Sequence, residues 1–370
     1  MAAASRVLHG RKTAWIEQND AARSTKQHRH GFRGDEIRKN IQFILYYMRK
    51  TVHLCLSSHD EVLYRNEADM IMGFNCLALA VLSTEARLLA EGFIPTHNHK
   101  LVQTDDFKAL THHERYSYTR YFNAKYSRRG RLGEKECFCL EVDGLFHMQT
   151  ATNYVIRQGL HHGLASTPFA YPHCSANAFF KKELGKENTR ELCDINQQYK
   201  HLPHGRKLPD SYRMDKNGLI LREQILDTAY VEQMYITPRN YLYQMNRITD
   251  EKTIKEQQQD NDLPPVTLDL IEKGVQEFDV RAALISEQGR VNNNVMTDLE
   301  LCHIIDDIML PRYLKKNECG SIYLLEKSKR KDLGNVLWHE AQNPKRSISG
   351  LLSGKKVSTN QIRRCLALNY

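Results

Sequence analysis

The hydrophobic pattern along the chain changes period several times between residues 51 and 162. Thr51 to Ser57 (TVHLCLS) alternates and is rich in strand formers, whereas Asn66 to Ala86 is apolar at helical spacing and begins at an asparagine that can cap it. Arg87 to Ile94 and His97 to Thr104 read as two more strands. Pro95 between them cannot continue a ladder and marks the corner of a hairpin. Leu110 to Tyr126 is spaced as a helix and Glu136 to Val142 as a short strand. Leu145 to His162 is a helix set between Asp143-Gly144 and Gly163. The predicted order is strand, helix, strand, strand, helix, strand, helix. An interleaved order with one hairpin suits an α+β sandwich, an antiparallel sheet with helices packed on it, better than a doubly wound parallel sheet.

Length and composition set the organisation around that segment. At 370 residues the chain exceeds one average domain. Residues 1–44 read as a basic arm: its first 34 residues carry seven Lys or Arg against Glu17 and Asp20 and no apolar stretch of the secretory kind. Residues 45–180 hold the alternating elements. Residues 181–265 form a polar connecting region whose run from Thr249 to Asp262 reads as a linker, and residues 266–370 return to helical spacing. The longest apolar run, Cys76 to Leu82, is far short of a membrane span, so no membrane partner is expected. Nine scattered cysteines fit reduced structural thiols and a cytoplasmic setting. A formal net charge of +9 favours polyanionic partners, because Lys and Arg gain affinity by displacing counterions from phosphate backbones.

Three features bear on chemistry. His97-Asn98-His99 puts two imidazoles on one face of a predicted strand, where they can hold a divalent metal or simply line a solvated face. The helix from Leu145 separates a packing stripe (Leu145, Met148, Thr152, Val155, Ile156, Gly159) from an opposite stripe of His147, Thr150, Tyr154, Gln158 and His161. Tyr154 and Gln158 lie one turn apart, so a phenol and an amide can approach one phosphate together; an exposed surface tyrosine has the same spacing. In the segment from His112 to Lys135, Arg115, Arg120, Lys125, Arg128, Arg129 and Arg131 alternate with Tyr116, Tyr118, Tyr121, Phe122 and Tyr126. Cations that follow phosphates and rings that stack bases suit single-stranded DNA, and a helix with an aromatic core stripe and a basic outer face would read alike. Arg115, Arg120, Lys125, Tyr126, Arg128, Arg129 and Arg131 are the candidate DNA-binding residues.

Taken in order, these motifs resemble the single-tyrosine HUH transposases, especially the REP-associated branch. The matching stretches are Pro95-Thr96-His97-Asn98-His99-Lys100-Leu101-Val102, then Tyr121-Phe122-Asn123-Ala124-Lys125-Tyr126 through Gly130 and Leu132, then Asn153-Tyr154-Val155-Ile156-Arg157-Gln158. Gly163-Leu164 and Tyr171-Pro172 look like the end of that domain, so the likeness runs over about 130 residues. The resemblance implies a ferredoxin-like fold, a divalent metal ion (Mg²⁺ or Mn²⁺) held by His97, His99 and Gln158, and Tyr154 as nucleophile. It also implies single-stranded or hairpin DNA as partner and a covalent 5′-phosphotyrosine. Relatives occur as dimers and as single chains, so a homodimer is one of the states it allows.

One position departs from the family pattern. The residue between the histidines is expected to be apolar, because it points into the core on the other face of the sheet; here it is Asn98, followed by Lys100. An unpaired buried amide costs about 1 to 3 kcal/mol, so either this face is wetter than in relatives or the domain is decaying or domesticated. The alternative to a strand transferase is therefore a catalytically inactive nucleic-acid-binding regulator. Toward the C-terminus, Arg346 to Leu368 reads as two short helices around a turn, a candidate helix-turn-helix in which Ser358 caps the second helix, Arg363 and Arg364 face outward and Ile362 and Leu366 pack beneath.

Overall fold

The computed structural model describes residues 49–186, 191–246, 296–313, 320–342, 352 and 355–369. The basic arm, the hydrophilic run after residue 246 and the first helix of the candidate helix-turn-helix lie outside them. Four strands, β1 (Thr51–Ser57), β2 (Arg87–Ile94), β3 (His97–Gln103) and β4 (Phe138–Val142), form one sheet in the order β2-β3-β1-β4. Every neighbouring pair is antiparallel. Helices α1 (Glu67–Ser83) and α2 (Phe107–Tyr126) each carry the chain past one intervening strand, α1 from β1 to β2 and α2 from β3 to β4. The architecture is thus the α+β class expected from the alternation. Asn66 caps α1 by accepting from the Asp69 amide at 3.1 Å.

Helices α1 and α2 pack on one face of the sheet, and α3 (Leu145–Ile156) packs on the other, against β2 and β3. The predicted helix from Leu145 does not run unbroken to His162. Arg157, at ψ 7°, ends α3, and a further turn, α4 (Gln158–His161), follows. Gly92 of β2 makes this seating possible, because a Cβ there would fall 2.3 Å from the Val155 carbonyl oxygen. Only glycine lets the helix come down so close to the strand.

Residues 191–246, expected as a polar connection, contribute to the same core as the sheet. Met214, Ile220, Val231, Met234, Tyr235, Tyr241 and Met245 are buried with it. Their segments run along the edge strand β2, where Leu226 bridges Leu88 and Arg87 pairs with Asp227, while Cys174 bridges Gly92. Such cover protects an edge strand that would otherwise present unpaired amides. Helices α5 (Arg222–Ile225), α6 (Thr228–Tyr235) and α7 (Pro238–Asn246) follow. Tyr235 donates to Asn153 Oδ1 at 2.7 Å, which ties α6 to the outer side of α3. The sequence conceals this because sparse apolar residues, widely spaced among polar ones, cover an existing core without needing a continuous stripe of their own.

The C-terminal helices α8 (Asp298–His303), α9 (Lys327–Gln342) and α10 (Thr359–Cys365) enclose a second cluster that includes Val62, Leu301, Ile305, Leu333, Leu337, Ile362 and Leu366. Ser358 caps α10 with Gln361 in a reciprocal capping box, as expected. Arg364 does not face outward: it is buried and paired with Asp298 at 2.8 Å. Arg330, in the basic run 327–331, is likewise buried and donates to the carbonyls of Leu366 and Ala367. Arg65 links this cluster to the sheet domain through Asp306 at 2.7 Å and the Cys365 carbonyl at 2.8 Å. All eight cysteines among the described residues are free thiols. No helix among the described residues is long and apolar enough to cross a membrane.

Candidate functional site

Period-two geometry on β3 sends His97 and His99 to the α3 side of the sheet and Asn98 and Lys100 to the α1–α2 side. On the α3 side the imidazoles meet the tyrosine. The His99 ring lies 5.1 Å from the Tyr154 ring and 4.8 Å from that of His97, edge to face in both cases. His162, just past α4, lies 5.1 Å from His97, and His161 lies 5.6 Å from Tyr154. From β1 comes a histidine that sequence reasoning passed over: His53 Nε2 is 2.9 Å from His99 Nδ1, and the His53 ring lies 5.9 Å from that of Tyr154. Alternation in TVHLCLS could have flagged it, since residue 53 pairs with Leu101 across the ladder and shares the His99 face.

The stripe carrying Tyr154 is buried rather than exposed. Tyr154 is 5% accessible, His147 3% and Gln158 0%, whereas Leu145 of the expected packing stripe is 59% accessible. With the sheet on one side and α6 and α7 on the other, both stripes of α3 are covered, and the polar one faces the histidines. Gln158 donates its amide to the Tyr154 carbonyl at 3.2 Å, which holds the side chain over the break between α3 and α4.

Burial dominates the electrostatics. Desolvation, then the Lys100 charge, hold His53 down at about 3. Desolvation, then the neighbouring His162, keep His97 well below the ordinary imidazole range, with Gln158 opposing and the Arg364 charge contributing. His99 is lowered well below that range by burial first and then by His97 and His53. All three are neutral imidazoles near neutral pH, the form that can bind a metal. The residues also fit a metal in a second respect. His99 Nε2 is fully buried and makes no hydrogen bond, an arrangement that native interiors rarely leave without a purpose, and the Gln158 side chain lies within hydrogen-bonding reach of His97. No group of three His, Cys, Asp or Glu that could hold a metal occurs among the described residues.

On the opposite face Asn98 is fully engaged. Its amide nitrogen donates to Tyr64 Oη at 2.8 Å and to Glu114 Oε1 at 2.9 Å, and its oxygen accepts from Lys100 Nζ at 2.9 Å. Lys100 Nζ lies 2.6 Å from Glu114 Oε2. The face is dry, with Asn98 at 1% and Lys100 at 0% accessibility, so of the two explanations offered for Asn98 the wetter face is corrected: a carboxylate on α2 and a phenol before α1 supply the partners.

The basic and aromatic segment divides. Arg128 is buried against Glu61, with Nε at 2.9 Å and Nη2 at 2.5 Å from its two oxygens. Lys125 pairs with Asp69 at 2.6 Å, and Tyr126 donates to the same carboxylate at 2.7 Å. These three residues have internal partners. Arg120, Arg129 and Arg131 are exposed, and Arg115 is half-buried with its guanidinium on the Lys135 carbonyl at 2.6 Å. Helix α2 lies on the face away from Tyr154. The loop after it returns to the site's end of the sheet, where Glu134 donates its amide to the Ser57 carbonyl at 2.8 Å, and Ser57 is the ladder partner of His97.

Fold and site together define an α+β protein with a tyrosine seated among sheet histidines. No protein-family model matches the chain, and no curated protein matches it. Among solved structures it is similar to a REP-associated tyrosine transposase bound to a REP hairpin. The identity is 11%, the match covers 44% of this chain and 87% of that chain, and the TM-score is 0.31.

Proposed function

We propose that the chain is a metal-dependent endonuclease and strand transferase of the single-tyrosine HUH type, with Tyr154 as nucleophile and single-stranded or hairpin DNA as substrate. One observation carries the reading. Tyr154, His97, His99 and Gln158, which the resemblance picks out as a set, come from β3, α3 and α4 and meet in one buried site, where His99 Nε2 stands without a hydrogen-bond partner and Gln158 reaches His97. The strand order with two split β-α-β units supports a ferredoxin-like sheet beneath that site. His97, His99 and Gln158 would hold the divalent cation, Mg²⁺ or Mn²⁺, which when bound withdraws charge from the scissile phosphate and steadies the leaving oxygen.

The chain's own residues account for the rest. Tyr154 Oη bonds to phosphorus as the bond to the 3′ oxygen breaks, leaving a 5′-phosphotyrosine and a free 3′-hydroxyl. The phenol proton passes to a neighbouring imidazole, for which His161 is the candidate, and a proton returns to the departing 3′ oxygen. Because a phenolate is also a tolerable leaving group, the hydroxyl can reverse the step and rejoin strands without an external energy source. Arg129 and Arg131, on the loop that returns to Ser57, are the exposed cations placed to follow the DNA backbone into the site. The regulator reading loses the support Asn98 lent it, since Asn98 is paired on all its polar atoms.

The test is incubation of the full chain with labelled DNA hairpins and Mg²⁺ or Mn²⁺, followed by a denaturing protein gel. Label that migrates with wild type and disappears both with chelator and in Tyr154→Phe is the expected outcome. Binding without any adduct across a broad hairpin library would leave the regulator in its place.

A further inference from the structure

We infer that His53 is a positioning residue that fixes the tautomer and orientation of His99, accepting the His99 Nδ1 proton so that His99 Nε2 is bare toward the metal. The inference rests on the metal reading above and assigns a role to a residue outside the histidine pair on β3.

The two rings meet edge to edge, with planes 10° apart, centroids 5.0 Å apart and facing nitrogens 2.9 Å apart. One proton lies between those nitrogens. Either His99 donates through Nδ1 and keeps a lone pair at Nε2, or His53 donates through Nε2 and obliges His99 to carry its proton at Nε2. The far atoms of the pair, His53 Nδ1 and His99 Nε2, are both buried and unpartnered, so the isolated protein gains nothing from either choice. A cation removes the tie. Only the first arrangement offers it a lone pair, on the ring that lies 5.1 Å from Tyr154 and 4.8 Å from His97. Metal-bound histidines generally give their other N–H to a carbonyl or carboxylate, and removal of that acceptor weakens metal binding. Here the acceptor is a second imidazole, supplied by the adjacent strand, which must itself be the Nδ1–H tautomer. Strand geometry fixes the contact: Cys55 is the ladder partner of His99, and His53 sits two residues along β1 on the same face.

The experiment is Mn²⁺ titration of the full chain, followed by calorimetry, for wild type, His99→Ala, His53→Phe and His53→Gln. Phenylalanine keeps a buried ring without an acceptor, whereas the glutamine oxygen can take the place of Nε2. We expect His53→Phe to weaken Mn²⁺ binding by about 10-fold or more, in the range seen for lost outer partners, and His53→Gln to recover most of it. Binding by His53→Phe equal to wild type, while His99→Ala loses it, overturns the role of His53 and leaves the metal site standing. Binding by His99→Ala equal to wild type overturns the metal site, and this inference with it. Should His53→Phe fail to fold, the nitrogen chemical shifts of His53 in the Mg²⁺-saturated wild type decide: the Nδ1–H form is expected, and the Nε2–H form overturns the inference.

Discussion

The two faces of β3 bury polar residues equally deeply and treat them in opposite ways. On the α1–α2 side, Asn98 and Lys100 are closed into a network with Tyr64 and Glu114 in which the amide uses both ends and the ammonium has a carboxylate. On the α3 side, His99 Nε2 is buried without a hydrogen-bond partner. A buried polar group with partners is part of the fold, because its desolvation is offset within the protein. One without partners costs stability unless something outside the chain satisfies it. The contrast separates structure from site within three consecutive residues of one strand.

Breaking the closed face should have the largest effect. Glu114→Gln leaves the Lys100 charge buried and uncompensated, so unfolding stability should drop by about 3 to 5 kcal/mol in a urea titration. Mn²⁺ affinity of the folded fraction should change far less than stability, because Glu114 lies on the far side of the sheet and reaches His53 and His99 only through the Lys100 charge. A stable variant with altered metal binding would break the division of labour between the faces.

Acid sharpens the comparison from the other side. His53 is held at about 3, and His97 and His99 are also held below the usual imidazole value near 6.5. Below about pH 6.5 the unfolded chain takes up protons that these buried rings refuse. Stability should therefore be complete above that pH and fall as pH is lowered, by about 1.4 kcal/mol per unit for each such histidine. The share of His53 levels off only near its folded value, about 3. Urea midpoints at pH 7.5 and 5 measure the slope, and His53→Phe should flatten it.

The smallest effect should follow from replacing the closed network as a unit. A triple variant, Asn98→Leu, Lys100→Met and Glu114→Leu, restores the apolar face that the transposase-like pattern expects and removes both charges together. Such swaps are commonly neutral or stabilising, so a thermal midpoint at or above that of wild type is expected. A strongly destabilised triple variant would mean that the network does more for the fold than offset its own burial.

Much of this was legible from spacing. TVHLCLS, the Pro95 corner and the helical periods placed four strands and the main helices, because alternation and capping are local and β-branched residues declare themselves in short windows. Spacing paired His97 with His99 and Tyr154 with Gln158, since each pair is tied by strand or helix geometry, and the resemblance to the single-tyrosine transposases joined the two pairs into one set. The candidate DNA-binding set was less legible. Lys125, Tyr126 and Arg128 have the composition of a nucleic-acid surface, yet they find Asp69 and Glu61, which are 56, 57 and 67 residues away in sequence.

Sequence order fixed the periodicity of the elements, the caps at Asn66 and Ser358, and the face that each residue of β3 takes, because these follow from backbone geometry over a few residues. Tertiary structure decided which of those faces closes on itself and which stays open. It brought His53 to His99 across the β1–β3 ladder, carried Glu114 under Asn98, and folded residues 191–246 over α3 and the β2 edge. Each of these joins groups far apart along the chain. A side chain's need for a partner is written in its chemistry, but the identity of that partner depends on what packing brings within about 3 Å of it.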